Sequence, residues 1–344
     1  MQDARTLVVL RPVTDVIALA SRLADELLFP AALATDAAER VPETHLEALA
    51  AAGLFGLRGP HSAGGLDLDQ APFSDVVELL ASGCLATTFV WLQHHSAVQA
   101  LAQSDNRRLA GAWLPALCAG QRRAGLALQA ALRPGPALLE AAAVPGGYLL
   151  QGSVPWVTGW GLIHTLYGIA RSTDPHSVTF LIDANQSQTL KASAQRLVAT
   201  NASASVTLHL ERHFVPHEHV VSVQPYVPPP PHDGGGRSNG SLALGVARRA
   251  CRLIGETPLW AELDARRQEL DRANESNLAK ARARAVELAL RASAAAVVRG
   301  GSRSIGSDAH AQRLAREALF LLVFGSRPAI RSQLLAELEH SSNE

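Results

Sequence analysis

Three cysteines in 344 residues, Cys84, Cys118 and Cys251, stand at no paired spacing. That argues against a disulfide frame or a thiolate zinc cluster, and a reducing compartment is expected. An excess of charge of one sign is missing too, since 31 basic residues balance 31 acidic ones. A nucleic acid or an anionic membrane surface would meet no basic face, so neither is expected as a partner. No uncharged apolar run is long enough to span a bilayer, and no membrane insertion is expected. The first residues lack a basic stretch followed by a long apolar run, so no secretory signal is read and the expected location is cytoplasmic. Aromatic residues make up only 5% of the chain, whereas hydrophobic residues reach 47%. Alanine and leucine therefore dominate, and a chain of this length is expected to form more than one domain.

What is there falls into three stretches. Residues 14 to about 120 read as helices. One starts with Pro42 in a first-turn position and stops at Gly53. Phe73, Val76, Val77 and Leu80 form an i, i+3, i+4, i+7 stripe. A short helix through Trp113 and Leu114 is expected to end near Pro115. His94 and His95 are adjacent, and successive helical positions point about 100° apart. They are therefore expected as one buried and one exposed ring, not as an acid/base pair or a metal site. Between Ala124 and Val221 the period changes. Gly146-Gly147 separates two extended runs, Val178–Ile182 is β-branched and aromatic, and Val206–Leu210 alternates apolar and polar residues. These strands suggest a small barrel or sandwich. Pro228–Pro231 followed by Gly234–Gly236 reads as a linker. Helix resumes at Ser241–Ala247, breaks near Pro258, runs from Asn277 to Arg299 and stops at Gly300-Gly301. A last helix is expected from about Asp308 to Phe324.

The segment Gly152-Ser153-Val154-Pro155-Trp156-Val157-Thr158-Gly159 carries the chemistry. On an extended strand, alternate residues share a face, so Trp156 and Thr158 would set a flat aromatic wall beside a hydroxyl. That suits a planar ring with a polar edge, such as a flavin. An aromatic in an ordinary barrel core is the simpler reading of the pair taken alone.

Helices, then a barrel, then helices is an unusual order, and the motifs follow it. Leu49–Leu57 with Pro60 and Gly64-Gly65-Leu66, then Trp113-Leu114-Pro115-Ala116-Leu117 with Gly120, then Trp156-Val157-Thr158 stand in sequence. Arg196-Leu197, Ser203, Ser205, Val206, Phe214-Val215-Pro216 and Val220-Val221 follow, and Arg313-Leu314-Ala315-Arg316-Glu317-Ala318 comes last. This ordered series resembles the acyl-CoA dehydrogenase flavoproteins over nearly the whole chain. The resemblance implies an α+β fold with an N-terminal helical domain (1–120), a central β-barrel (121–223), a Pro/Gly-rich linker (224–240) and a shortened C-terminal helical bundle (241–344). It implies FAD as cofactor, an acyl-CoA or other acyl thioester as substrate, and a homodimer or a hetero-oligomer with a related chain. The cofactor-binding residues it implies are Leu128, Gln129, Trp156, Thr158, Gly300 and Gly301. Gln129 stands where the family has a flavin-holding Thr, and Gly300-Gly301 would let backbone approach the adenosine half.

The departures are as informative. The reaction of this family needs a carboxylate to remove an α proton of the thioester. The usual Glu position falls on Gly325, and the alternative position at the start of the first C-terminal helix falls on Gly235. Glu317 is expected in a structural ion pair, Glu256 in solvent, and Asp233 in the linker. The implied function is a flavin-dependent oxidoreductase with the family Glu replaced. Two alternatives also lack that Glu: a non-catalytic partner subunit, and a flavin monooxygenase.

Overall fold

A computed structural model describes residues 12–129, 135–172, 174, 176–228, 236–325 and 327–340. The expected positions Gly235 and Asp233 lie outside them, as do most of the Pro/Gly stretch and residues 130–134. The described chain is helical at both ends around one mixed sheet, an α+β architecture. The N-terminal part comprises α1 (Val13–Arg22), α2 (Phe29–Ala37), α3 (Glu43–Ala51), α4 (Gln70–Gly83), α5 (Leu85–Ala102) and α6 (Arg107–Cys118). A π-helical turn, Leu23–Leu28, joins α1 to α2. The α4 stripe behaves as its period requires, with Phe73, Val76, Val77 and Leu80 all buried. Helix α6 does not end at Pro115 but runs one more turn to Cys118. A proline removes one backbone donor and crowds the carbonyl four residues back, here that of Gly111, and the helix tolerates this near its end. The glycines at 59 and 65 are packing requirements, because a Cβ on Gly65 would lie 2.1 Å from the Gly59 carbonyl oxygen.

The sheet holds β1 (Ala124–Ala127), β2 (Leu139–Val144), β3 (Gly147–Val157), β4 (Thr165–Ser172), β5 (His176–Asp183), β6 (Leu190–Ala194), β7 (Val206–Pro216) and β8 (Val220–Pro225). Its order is β6-β7-β3-β2-β4-β5-β8. β1 and β2 both run parallel to β4, β1 pairing with its beginning and β2 with its end. The other pairs are antiparallel. Gly146-Gly147 does separate two strands, β2 and β3. The start of β7 shows the expected alternation, with Val206, Leu208 and Leu210 buried and His209 exposed. On β4 and β5, Leu166, Phe180 and Ile182 face the sheet's own core, while Tyr167 and Leu181 join the core formed with α5 and α6. Burial on both faces explains why Val178–Ile182 reads as a continuous apolar run.

The C-terminal part contains α7 (Ser238–Ile254), α8 (Leu259–Asp271), α9 (Leu278–Gly300), α10 (His310–Val323) and α11 (Pro328–His340). Helix α11 follows the one expected to be last. Proline suits the first helical position, and Pro328 opens this helix. The N- and C-terminal helices share one apolar core, which includes Leu80 of α4, Leu244 of α7, Leu288 of α9 and Leu314 of α10. Among the described residues, no helix is long and apolar enough to cross a membrane.

His94 and His95 are both buried, so the expectation of one exposed ring is corrected. Helix α5 is covered on nearly every side, and no solvent face remains for the second ring. The His94 Nδ1 accepts the Ala124 N–H at 3.0 Å, and the His164 Nδ1 accepts the Arg123 N–H at 3.0 Å. These two imidazoles fasten the chain where it enters β1, and both must be neutral at Nδ1 to do so. Burial pushes His94 from an ordinary 6.5 down to about 3, and it holds His95 well below its ordinary value. The unfolded chain therefore binds protons that the folded chain refuses. This contribution to stability is complete above about pH 6.5 and is lost as pH falls below it, by up to ~1.4 kcal/mol per pH unit for each such imidazole. Urea midpoints measured from pH 8 to pH 4.5 are expected to be flat above 6.5 and to decline below it. His94→Asn, which can still accept from Ala124, is expected to remove about one imidazole's share of that slope. An unchanged slope would show that His94 does not resist protonation.

Candidate functional site

Strand β3 does not stay regular to its end. Its register against β7 slips between Val154 and Val157, and Trp156 within the slip has φ of 64°. The two-residue alternation that would place Trp156 and Thr158 on one face therefore fails here. The bulge turns the indole outward, leaving Trp156 47% exposed, while Thr158, one residue past the strand, is 3% exposed. The two side chains therefore do not share a face: the indole lies at the surface and the hydroxyl in the interior.

The 200–205 turn is spliced to this strand end. Gly159 N–H donates to the Ser203 carbonyl at 2.8 Å, and Trp160 N–H to that of Ala204 at 3.1 Å. The hydroxyls of Thr158 and Ser205 lie 3.2 Å apart, and those of Ser205 and Ser203 lie 2.9 Å apart, all buried. Thr200 and Ala204 have φ of 54° and 48°, so three of the five non-glycine residues with left-handed backbone among the described residues surround Thr158. Such conformations cost about 1–3 kcal/mol each and collect where surrounding structure and function hold them.

Helices from both ends of the chain grip the same turn. Val41 N–H donates to the Ala202 carbonyl at 2.7 Å, and the Arg316 guanidinium of α10 donates to the Val198 carbonyl at 2.8 Å while pairing with Asp36. Helix α5 lies against the strand end, where a Cβ on Gly159 would approach the Val90 Cγ1 at 3.2 Å and the Ile163 Cγ2 at 3.0 Å. The next residue along α5, Phe89, packs edge-on against Phe320 and Phe324, with centroids at 5.3 and 4.7 Å. Phe324 precedes Gly325. An aromatic wall thus runs from the neighbourhood of Thr158 to Gly325.

Gly325 has φ of 56°. A Cβ there would meet the Asn239 Nδ2 at 2.9 Å and the buried Arg282 Nη2 at 3.4 Å. Both of these nearest atoms are hydrogen-bond donors. Glu317 lies instead in a buried pair with Arg313 at 2.5 Å; burial raises its carboxyl pKa and the Arg313 charge opposes the rise. Glu256 is exposed. Both carboxylates are where the sequence reading put them.

The other expected residues are less concentrated. Leu128 and Gln129 follow β1 and are half-buried, with Leu128 packed on the α5–α6 core. A Cβ on Gly125 of β1 would lie 3.0 Å from the Thr158 carbonyl, so this strand does border the site. Gln129 is four residues further on, roughly 13 Å along an extended chain. Gly300 and Gly301 are exposed at the end of α9, where Gly301 has φ of 64° and stops the helix. Ser205, Asn239 and Arg282 were not singled out as site residues from sequence. Ser205 had a signal in the Ser203/Ser205 motif, whereas Asn239 and Arg282 had none, because only α7 meeting α9 beside Gly325 brings them together.

The N-terminal domain model of the acyl-CoA dehydrogenases matches residues 14–121. The benzylmalonyl-CoA dehydrogenase of Aromatoleum aromaticum is 26% identical over 251 residues, covering 67% of this chain and 63% of that enzyme. The chain thus matches somewhat less than two thirds of that curated relative's length. A glutaryl-CoA dehydrogenase from Mycobacterium smegmatis, solved in complex with FADH2, superposes with a TM-score of 0.78 at 14% identity, covering 97% of this chain and 96% of that one. A nitrososynthase from Micromonospora carbonacea var. africana superposes with a TM-score of 0.79 at 16% identity, covering 97% of each chain. Residues 14–121 thus match the N-terminal domain family of the acyl-CoA dehydrogenases, and the chain shares the fold of the solved acyl-CoA dehydrogenases from end to end.

Proposed function

We propose that this chain is a flavin-dependent oxidoreductase acting on an acyl thioester, with the family's Glu position held by Gly325. The observation that carries the reading is an exposed indole, Trp156, two residues from the buried Thr158 hydroxyl on left-handed, strained backbone. The residues present fit the isoalloxazine of FAD: a large aromatic face to stack on, and a hydroxyl whose partner among the described residues is another hydroxyl. Trp156 and Thr158 would hold the ring, and the half-buried Gln129 amide could meet its polar edge. A bound flavin supplies the electron acceptor of the reaction. The aromatic wall of Phe89, Phe320 and Phe324 excludes water from the side of α5 and α10.

Position 325 itself carries no carboxylate to serve as the α-proton base. Asn239 and Arg282, the side chains nearest a Cβ at 325, cannot take a proton from a substrate carbon. This favours a second reading on the same site, oxidation of a ligand by reduced flavin and oxygen, which needs no such base. A glutaryl-CoA dehydrogenase and a nitrososynthase share this fold.

Purified protein mixed with FAD is expected to keep its visible flavin absorbance through gel filtration, and Trp156→Ala to weaken FAD binding at least about tenfold through lost stacking area. A colourless wild-type protein would refute the reading. The base at 325 is tested separately by following exchange of the α protons of an acyl-CoA in D2O. The wild type is expected to show no exchange above background. Gly325→Glu, at a backbone cost of about 1–2 kcal/mol for the left-handed φ, is expected to raise it by about 10²–10³. Rapid exchange by the wild type would mean that a base reaches the site from elsewhere.

A further inference from the structure

We propose that the outer face of the sheet carries a second binding site, a cleft over β6, β7 and β3 that takes the phosphate monoester of a small polyol. It is independent of the flavin reading above.

The cleft has a volume of about 260 Å³ and is lined by Gln151, Ser153, Lys191, His209 and Glu211, with the 188–189 turn as one wall. Its floor is a single row across three strands. Ser153 of β3 stands opposite His209 of β7, and His209 stands opposite Lys191 of β6. Their chain neighbours Val154, Leu208, Leu210 and Leu190 lie in the sheet's own core, so strand alternation puts all three row members on the outer face. Opposed side chains in a sheet have Cβ atoms about 4.5–5.5 Å apart, within reach of one small ligand. Glu211 is exposed two residues beyond His209, roughly 7 Å along the strand.

The row supplies donors. Lys191 is one of two lysines in the chain, and it makes no ion pair among the described residues. An ammonium is a compact point charge with three N–H groups, which suits a phosphate. Ser153 Oγ and His209 Nδ1 lie 2.9 Å apart. When the serine donates, the ring holds its proton on Nε2; when the ring donates, the serine hydroxyl is the free donor. In both arrangements the neutral pair presents one donor beyond its own bond, and a protonated ring presents two. Gln151 adds another. Its Oε1 accepts the Arg212 N–H at 3.0 Å, which leaves its NH2 group for a ligand. That bond is offered by strained backbone, since Arg212 has φ of 48° where the register between β3 and β7 slips. Strain of this kind collects at ligand sites. The wall is fastened as well: the Glu211 N–H donates to the Thr189 carbonyl at 2.9 Å, and the Thr189 hydroxyl meets His209's strand neighbour His213 at Nδ1, also at 2.9 Å.

An ammonium beside neutral donors selects a compact oxyanion at one end of the cleft. Glu211 repels a second negative group and accepts from hydroxyls, so the rest of the ligand is a polyol. The volume lies just under the range of about 300–1,000 Å³ typical of drug-sized ligands, which suits a sugar phosphate and is too small for a dinucleotide.

Reductive methylation with 13C-formaldehyde labels both lysines, and Lys191→Gln and Lys280→Gln assign their signals in 1H–13C spectra. Glycerol 3-phosphate is expected to shift the Lys191 signal saturably, with a dissociation constant of about 1 mM or below, and to leave Lys280 of α9 unmoved. Calorimetry on unlabelled protein is expected to show binding weakened at least about tenfold by Lys191→Gln and about three- to tenfold by Ser153→Ala. Glu211→Gln is expected to erase the preference for glycerol 3-phosphate over inorganic phosphate. Thermal melting checks that each variant folds. No saturable shift at about tenfold that concentration, an equal shift of both lysines, or unchanged affinity in Lys191→Gln would overturn the proposal. Inorganic phosphate binding as tightly as glycerol 3-phosphate to the wild type would overturn the polyol and the role of Glu211. Displacement of glycerol 3-phosphate by FAD would overturn the independence of the two sites, whereas failure of the protein to bind FAD would refute the flavin reading and leave this one standing.

Discussion

Two backbone hydrogen bonds, from Gly159 to Ser203 and from Trp160 to Ala204, join the end of a strand to a turn more than forty residues later, and the candidate site exists because of them. They fix the buried hydroxyls of Thr158 and Ser205 side by side. They also hold the chain where Trp156, Thr200 and Ala204 sit in left-handed conformations. Three such residues together cost several kcal/mol, about 1–3 each, so the region must be over-determined to persist. It is: Val41 from the N-terminal side, Arg316 from α10 and the flank of α5 all bear on the same few residues.

The charges of the helical parts serve assembly. Asp25 in the π-helical turn pairs with Arg249 and Arg252 of α7, and Glu78 of α4 pairs with Arg267 of α8. These contacts tie the first hundred residues to the last hundred. The Arg313–Glu317 pair is buried within α10. Removing one partner of such a pair leaves an uncompensated charge and costs more than the pair contributes, so Glu317 is held in place by the interior. A carboxylate committed in this way is poorly suited to leave its partner and act two turns away at Gly325. The atoms nearest a Cβ at 325 are thus donors, and Glu317 is already engaged by Arg313.

The order of helices and strands was legible in the residues. The α4 stripe, the alternation at the start of β7 and the glycine stop at Gly300-Gly301 report local geometry, and the structure follows them. The misreadings share a cause. Pro115 looked like a helix end because its effect on one turn is local, whereas the neighbours that keep α6 going are not. His94 and His95 looked like one inside and one outside because helical angle is local, whereas the cover over α5 comes from α6, the 54–59 segment and β1. The site divides in the same way. Trp156, Thr158 and Gly325 could be picked out as residues of interest. The bulge that separates the indole from the hydroxyl by exposure could not, because it arises from a slip between two distant strands.

By itself, the sequence determined the helix–sheet–helix order, the balance of charge, the spacing of a tryptophan and a threonine and the presence of a glycine at 325. Those are properties of residue type and short-range period. The tertiary structure alone decided that Trp156 faces outward while Thr158 is buried, that two serines line up behind that threonine, and that Asn239 and Arg282 crowd the space over Gly325. Each of these depends on segments far apart in the chain being brought within a few ångströms, and the period of a segment shows which face is buried but not which distant segment covers it.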